Sequence, residues 1–292
     1  MATMTAVVIH EAGGPEVLKL ERRRIPTPQN GQVFLIRVKT FGLNRSELFT
    51  RQGHSPSAVG LVEEAPGNEF RPGEIVGTAM GGMGREFDGG YAEYTCVPAT
   101  QVQTIKTTLP WDVLGALPEM LQTSWGLAAA AIGKDHGAFI AATTRNPHRE
   151  MLLREHIVDQ VFIDNGTIAE QVKETCPEGF DKVLELVGVT TLEDSLRCVK
   201  KHGIICMTGI VGNKWTFDNF SPMESIPTTI SLTTYSGSAE EFMLTPLESL
   251  FQQIAAGSLH IQVGKVFGLD KITEAHRCME ENKAVGKIVA LV

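Results

Sequence analysis

The stretch that most constrains the fold is Leu117–Asn146, LPEMLQTSWGLAAAAIGKDHGAFIAATTRN. Its second half predicts a helix running into a buried strand. The helix spans Leu127–His136, small-residue and apolar enough to lie close on a sheet, and Gly137 stops it, as a glycine just past a helix end commonly does. The strand spans Ala138–Thr144, short and apolar on both faces, as parallel strands are. A helix feeding a parallel strand is half of a βαβ unit. The other half would be an apolar strand and a Gly-x-Gly-x-x-Gly turn just before Leu127. Neither is present, because Gln122-Thr123-Ser124-Trp125-Gly126 leads straight into the helix.

The rest of the chain falls into two textures. Residues 4–110 read as short strands separated by turns, with candidates at Thr5–His10, Gln32–Phe41, Gly60–Glu64, Glu74–Ala79 and Tyr91–Pro98. Many short strands punctuated by Gly and Pro predict a small barrel. After residue 120, helix and strand alternate. Pro147–His156, Ile168–Cys176 and Leu192–Lys201 read as helices, and Gln160–Ile163, Asp181–Val187, Gly203–Thr208 and Thr229–Ser236 as strands. Such alternation predicts a parallel sheet covered by helices. Glu241–Ala256 and Ile272–Glu281 read as two further helices, and Lys287–Val292 as a last apolar strand. Two domains follow. A barrel takes residues 1–120 and is completed by 237–292, and a sheet domain takes 121–236.

Composition removes several classes of function. With 26 basic and 34 acidic residues, a formal charge of -8 argues against a nucleic-acid surface or an anionic membrane as main partner. The five cysteines are dispersed, with no C-x-x-C pair, which predicts a reduced, cytoplasmic protein. MATMTAVVIHEAGG reads as a short strand and not a secretion signal, and no apolar run approaches membrane-spanning length. The eight histidines show no pairing that suggests a hydrolase, and no Gly-x-Ser-x-Gly elbow occurs.

One cofactor preference can be argued from residues alone. Sites for NAD place an acid at the end of the second strand, to bind the ribose hydroxyls. Here that strand ends Thr143-Thr144-Arg145-Asn146, with Arg149 one helical turn on. No carboxylate repels a 2′-phosphate, and two guanidinium groups are placed to hold one, which favours NADP over NAD. A solvated basic helix start is the plainer alternative.

FGLNRSELFTRQG (41–53), RPGEIVGTAMGG (71–82), DGGYAEYTCVPA (88–99), LPEMLQTSWG (117–126), ATTRNPHRE (142–150) and AVGKIVALV (284–292) occur in an order that resembles the medium-chain dehydrogenase/reductase superfamily, in its zinc-free quinone oxidoreductase branch. The resemblance implies an α/β fold: a GroES-like β-barrel catalytic domain and a Rossmann-type parallel sheet. The sequence departs from it twice. Between Ser57 and Ala58 relatives carry another barrel strand with a glycine–glutamate pair. Between Gly126 and Leu127 they carry the first sheet strand and the phosphate-binding glycine loop. Gly81-Gly82-Met83-Gly84 is no substitute, since no helix pattern follows it to present N–H groups to an anion.

The resemblance also implies site residues. Asn44 would lie beside the nicotinamide, although an Asn at a strand end also suits a turn. Thr123 matches a threonine near the nicotinamide amide, although it could equally cap a helix. Tyr91 is a candidate proton donor, with a core tyrosine the plainer reading. Leu186, Val187, Thr208 and Gly209 end two parallel strands, where ligands gather. Asn282, before the last strand, is a weaker candidate for the same cleft. No metal is expected: relatives with zinc ligate it with a cysteine where this chain reads Gly42-Leu43-Asn44-Arg45-Ser46, and His54 has no Cys or Glu beside it. The function implied is NADPH-dependent reduction of quinones or activated alkenes and carbonyls, with a small-molecule substrate and room for a homodimer. With the glycine loop missing, NADP binding should be weak or lost. The alternative is a non-enzymatic, truncated paralogue or splice product acting as a binding partner or inert.

Overall fold

The computed structural model describes residues 2–28, 33–51, 57–67, 69–126, 137–156 and 158–292. The chain forms two units, one of Met1–Thr123 with Gly237–Val292 and one of Ser124–Ser236. The predicted helix Leu127–His136 and the zinc-ligand candidate His54 lie outside the described residues.

The first unit opens with β1 (Thr3–Val8) and β2 (Lys19–Arg24), an antiparallel ribbon. β3 (Val33–Leu43) is the long central strand of the barrel sheet. After α1 (Ser46–Thr50) come β4 (Ser57–Glu64), β5 (Ile75–Ala79), β6 (Tyr94–Pro98) and β7 (Val102–Thr104), then α2 (Trp111–Leu114) and α3 (Pro118–Gly126). β3 pairs antiparallel with both β4 and β6, β4 with β5, and β5 with β7.

In the second unit β8 (Ala141–Thr144) leads to α4 (Glu150–His156), β9 (Gln160–Ile163), α5 (Ile168–Thr175), β10 (Phe180–Glu185), α6 (Leu192–Leu196), β11 (Val199–Met207), α7 (Pro222–Ser225) and β12 (Ser231–Thr234). All ladders here are parallel, but they form two separate sheets, β8-β9 and β10-β11-β12. Among the described residues nothing pairs with the second edge of β8 or of β10. α5 joins the two sheets through an apolar cluster of Phe162, Val172, Cys198, Ala141 and Phe180. On β10-β11-β12, Ile205 is buried with Leu192 and Leu196, but on the other face Leu184 and Ile204 remain 36% and 42% exposed. Parallel sheets are normally covered on both faces, and among the described residues this one is covered on one.

The chain then returns to the first unit with α8 (Ala239–Leu244), α9 (Leu247–Ala255), β13 (Val263–Gly268), α10 (Ile272–Glu280) and β14 (Lys287–Leu291). β14 pairs antiparallel with β3 and parallel with β13. Val289 and Ala290 on it are fully buried.

Several elements differ from the sequence expectation. The strand expected at Tyr91–Pro98 begins only at Tyr94, because residues 91–93 bond to β1 instead: Val7 N–H donates to Tyr91 O and Glu93 N–H to Thr5 O. The helix expected to reach Lys201 ends at Leu196, since Phe180 pairs with Val199 and draws the chain into β11. The helix expected over Glu241–Ala256 is broken at Thr245-Pro246, where Pro lacks an N–H and disfavours helix before it. The strand expected from Ala138 begins at Ala141. Highly charged β2, short β7 and β13 carried too little alternation to be read as strands.

Phe41, at the end of β3, is fully buried and stacks on Tyr91 with ring centroids 4.3 Å apart. Phe41→Ala should therefore destabilise the first unit by about 3–5 kcal/mol. Denaturant unfolding checks this, and a loss below ~1 kcal/mol would mean the site collapses onto the gap.

Candidate functional site

Asn44 sits where β3 gives way to α1, and the local sequence explains its surroundings. In Asn44-Arg45-Ser46-Glu47 the carboxylate three residues on reaches back to the Asn44 backbone N–H at 2.5 Å, while Glu47 N–H donates to Asn44 O at 3.0 Å. The carboxylate thus makes one half of a capping box, and the backbone bond closes the first turn. The Asn44 side-chain amide donates to Glu47 Oε1 at 3.0 Å and to Glu119 Oε2 at 2.5 Å, and its Oδ1 accepts from Lys287 Nζ. Glu119 is in the first turn of α3 and Lys287 opens β14, so one amide ties four elements together. Gly42 makes the approach feasible, because a Cβ there would meet Gly115 O at 2.5 Å and Lys287 Cε at 2.9 Å.

Behind this hub lies a second layer. The Tyr91 hydroxyl is 3.0 Å from Glu47 Oε2 and 3.1 Å from His276 Nε2, and Ser46 Oγ donates to Glu119 Oε1 at 3.3 Å. Arg51, 2% exposed, pairs with Glu280. Burial dominates the ionisation of the group. It pushes the Glu47 carboxyl from 4.5 up to about 8, with the Glu119 charge adding to the shift. Glu119 is also raised by burial, and the Lys287 ammonium works against that rise. Burial lowers Lys287, opposed by the two carboxylates. His276 falls to about 3 through burial and the nearby Arg51 charge, and is neutral in the working range. Tyr91 is raised well above its usual value by burial and by Glu47.

Of the residues singled out by sequence in this unit, Asn44 and Tyr91 are thus brought together through Glu47. Thr123 lies inside α3 and does not open a helix, which removes the capping alternative. Asn282 follows α10 with φ +53 and accepts from Arg45 through Oδ1, so it serves as a left-handed residue at a helix end. Sequence reasoning passed over Glu47, Glu119, Lys287 and His276. The N-x-x-E spacing after a strand was a signal for Glu47. His276 gave none, sharing the apolar face of α10 with Ile272, Ala275 and Met279.

In the second unit the two strand ends pack backbone to backbone. Gly209 permits this, since a Cβ there would lie 2.0 Å from Leu186 O. Thr208 and Gly209 N–H donate to Glu185 O at 3.0 and 3.2 Å, Val211 N–H to Leu186 O at 3.2 Å and Gly212 N–H to Val187 O at 2.8 Å. Glu185 is buried, and its carboxylate accepts from Val187 N, Gly188 N, Thr191 Oγ1 and Ser195 Oγ at 2.5–3.0 Å. Thr208 Oγ1 donates to Tyr235 O at 2.8 Å. Leu186, Val187, Thr208 and Gly209 are therefore brought together. Thr143, Thr144, Arg145 and Arg149 sit on the other sheet, at the turn from β8 to α4, with Arg145 exposed.

A dinucleotide fits this unit only in part. Arg145 and Arg149 suit a 2′-phosphate. A pyrophosphate needs free backbone N–H groups at a glycine turn opening a helix. Among the described residues no such turn occurs. The N–H groups at the β10 and β11 ends are already donated to Glu185, Leu186 and Val187. The residues present do not fit the whole cofactor. Nor, among the described residues, do three His, Cys, Asp or Glu side chains stand together to hold a metal ion. Among the described residues no helix is long and apolar enough to cross a membrane.

Comparison with known proteins agrees with the fold. A family model described as zinc-binding dehydrogenase matches residues 158–290. Human quinone oxidoreductase is 25% identical over 333 aligned positions, covering 99% of this chain and 98% of that protein. A 2-haloacrylate reductase of Burkholderia is 26% identical over 337 positions, covering 98% of each. The crystal structure of Escherichia coli quinone oxidoreductase complexed with NADPH superposes with a TM-score of 0.85 at 20% identity, covering 100% of both chains. The chain is similar to zinc-binding dehydrogenases over residues 158–290 and to quinone oxidoreductases along its length, and it has their fold. The alignments run longer than its 292 residues, so they contain positions for which this chain has no residue.

Glu185 gives the sharpest test of the strand-end geometry. Glu185→Ala orphans the buried Gly188 N–H and the part-buried Val187 N–H, so the second unit should lose roughly 1–4 kcal/mol. Thermal unfolding checks this, and a variant within ~0.5 kcal/mol of the parent would show that water reaches those N–H groups.

Proposed function

We propose that the chain is a zinc-free oxidoreductase of the NADPH-using kind, directed at quinones or activated alkenes and carbonyls, with a weakened grip on its cofactor. The observation that carries the weakened grip is the split sheet, β8-β9 apart from β10-β11-β12, with no glycine turn among the described residues. The substrate class is supported by the quinone oxidoreductase and 2-haloacrylate reductase relatives. The zinc-free reading is supported by the surroundings of Asn44, where its amide N–H groups donate to both carboxyl groups and its Oδ1 accepts from Lys287. In this reading Asn44, Thr123 and Tyr91 belong to the substrate side. Thr143, Thr144, Arg145 and Arg149 take the adenosine 2′-phosphate, and Leu186, Val187, Thr208 and Gly209 belong to the remaining cofactor site. A bound nicotinamide would supply hydride; the chain's own contribution is a dry, rigid polar cluster with the Asn44 amide orientation fixed by Lys287.

Each lost N–H bond to a charged phosphate costs ~1.5–3 kcal/mol, and ~1.4 kcal/mol is tenfold in affinity. NADPH should accordingly bind in the millimolar range or not at all, more tightly than NADH, and more weakly still in Arg145→Ala. Titration followed by nicotinamide fluorescence tests this. Micromolar affinity, or no preference for NADPH over NADH, would sink it. The edges of β8 and β10 that have no partner among the described residues favour a second reading, a non-enzymatic form that binds a partner or is inert. Complete absence of NADPH binding, with no hydride transfer after a strand and glycine loop are restored, would select it.

A further inference from the structure

The cluster around Asn44 has a charge balance that its geometry does not allow to be filled in the ordinary way. Glu47 and Glu119 both accept from the same Asn44 Nδ2, at 3.0 and 2.5 Å, and Lys287, on the opposite side of the same amide, is the cation that bonds to it. The charged and titratable groups facing Glu47 are Tyr91 from the segment before β6, Glu119 from α3, Lys287 from β14, Arg51 from its own helix and His276 from α10 behind Tyr91. Arg51 is engaged with Glu280, and His276 is neutral, so neither neutralises a second carboxylate. Two carboxylates this close, in a buried site with one ammonium, cannot both be ionised without severe cost.

We propose that Glu47 and Glu119 hold a single proton between them across Asn44, which makes this cluster a proton-binding site that sets how firmly β14, α3 and α1 are tied to the end of β3. The proposal is independent of whether the second unit binds a dinucleotide. With the proton in place the cluster carries one carboxylate, one carboxylic acid and one ammonium, and is neutral. The Tyr91 hydroxyl, between Glu47 and His276, donates to one and accepts from the other, and so accommodates either state of Glu47. When the proton leaves, a net negative charge is buried at the junction and the tie weakens. The sign follows from Glu47: its carboxyl is raised from 4.5 to about 8 in the folded chain, so the folded state holds a proton that the unfolded state has lost. Stability from this group is full below pH 4.5, falls as pH rises to about 8, and is constant above.

The test is a carboxyl titration by NMR of the full chain carrying 13C-carboxyl glutamate, from pH 4 to pH 10. One resonance should titrate above pH 7 and vanish in Glu47→Gln. In Glu119→Gln the Glu47 midpoint should drop by at least one pH unit, because the neighbouring charge is gone. Folding stability of the parent should fall between pH 5 and pH 8 with a limiting slope of about tenfold per pH unit in the unfolding constant, and that slope should disappear in Glu47→Gln. A parent chain in which every glutamate titrates below pH 6 would overturn the proposal. So would a Glu47 midpoint unmoved by Glu119→Gln, which would make burial alone the cause. If neither variant folds, the parent titration decides by itself.

Discussion

A strand inside a parallel sheet needs hydrogen-bond partners along both edges, and among the described residues β8 and β10 each have one. Nearly everything distinctive about the second unit follows from that. With no strand between them among the described residues, the two short sheets are joined by α5 and its apolar cluster. Leu184 and Ile204 are left facing water where a covering layer would bury them. The turn that would follow a central strand, with the free N–H groups that hold a pyrophosphate, has no counterpart among the described residues. The N–H groups that do stand at the strand ends are spent on the Glu185 carboxylate and on neighbouring carbonyls.

The first unit is built on the opposite principle, around one fully engaged amide. Asn44 uses its amide N–H groups, its carbonyl oxygen and its backbone N–H on Glu47, Glu119 and Lys287. The geometry depends on burial, since Phe41 stacks on Tyr91 and Gly42 leaves room for the Lys287 stem. An amide so fully engaged is rigid, which suits a residue meant to present one fixed orientation. One unit thus keeps a tightly ordered polar cluster, while the other, among the described residues, has no glycine turn at its strand ends.

The parts of this structure legible in the sequence were those written in local pattern. The helix–strand alternation after residue 120 announced the parallel ladders, and the absence of an apolar strand and glycine turn before Leu127 announced the split sheet. Asn44 and Tyr91 could be singled out, but the group that joins them, Glu47, could not, because burial of a carboxylate is a tertiary event. Lys287 looked like an ordinary charged start to an apolar strand. Glu185, in the run DKVLELV, gave no hint that it would collect four donors from the turn and helix that follow. β2 was missed because its lysine and arginines lie on an exposed ribbon, where nothing enforces alternation.

Amide hydrogen exchange across the second unit tests the split sheet most directly. In β11, paired on both sides between Ile204 and Met207, successive amides should be protected alike. In β10, paired only with β11, protection should alternate along Phe180–Glu185, with the amides pointing to the open edge exchanging at least a hundredfold faster than those bonded to β11. Uniform protection along β10 would mean that another segment completes the sheet, and the account of a missing central strand would be wrong.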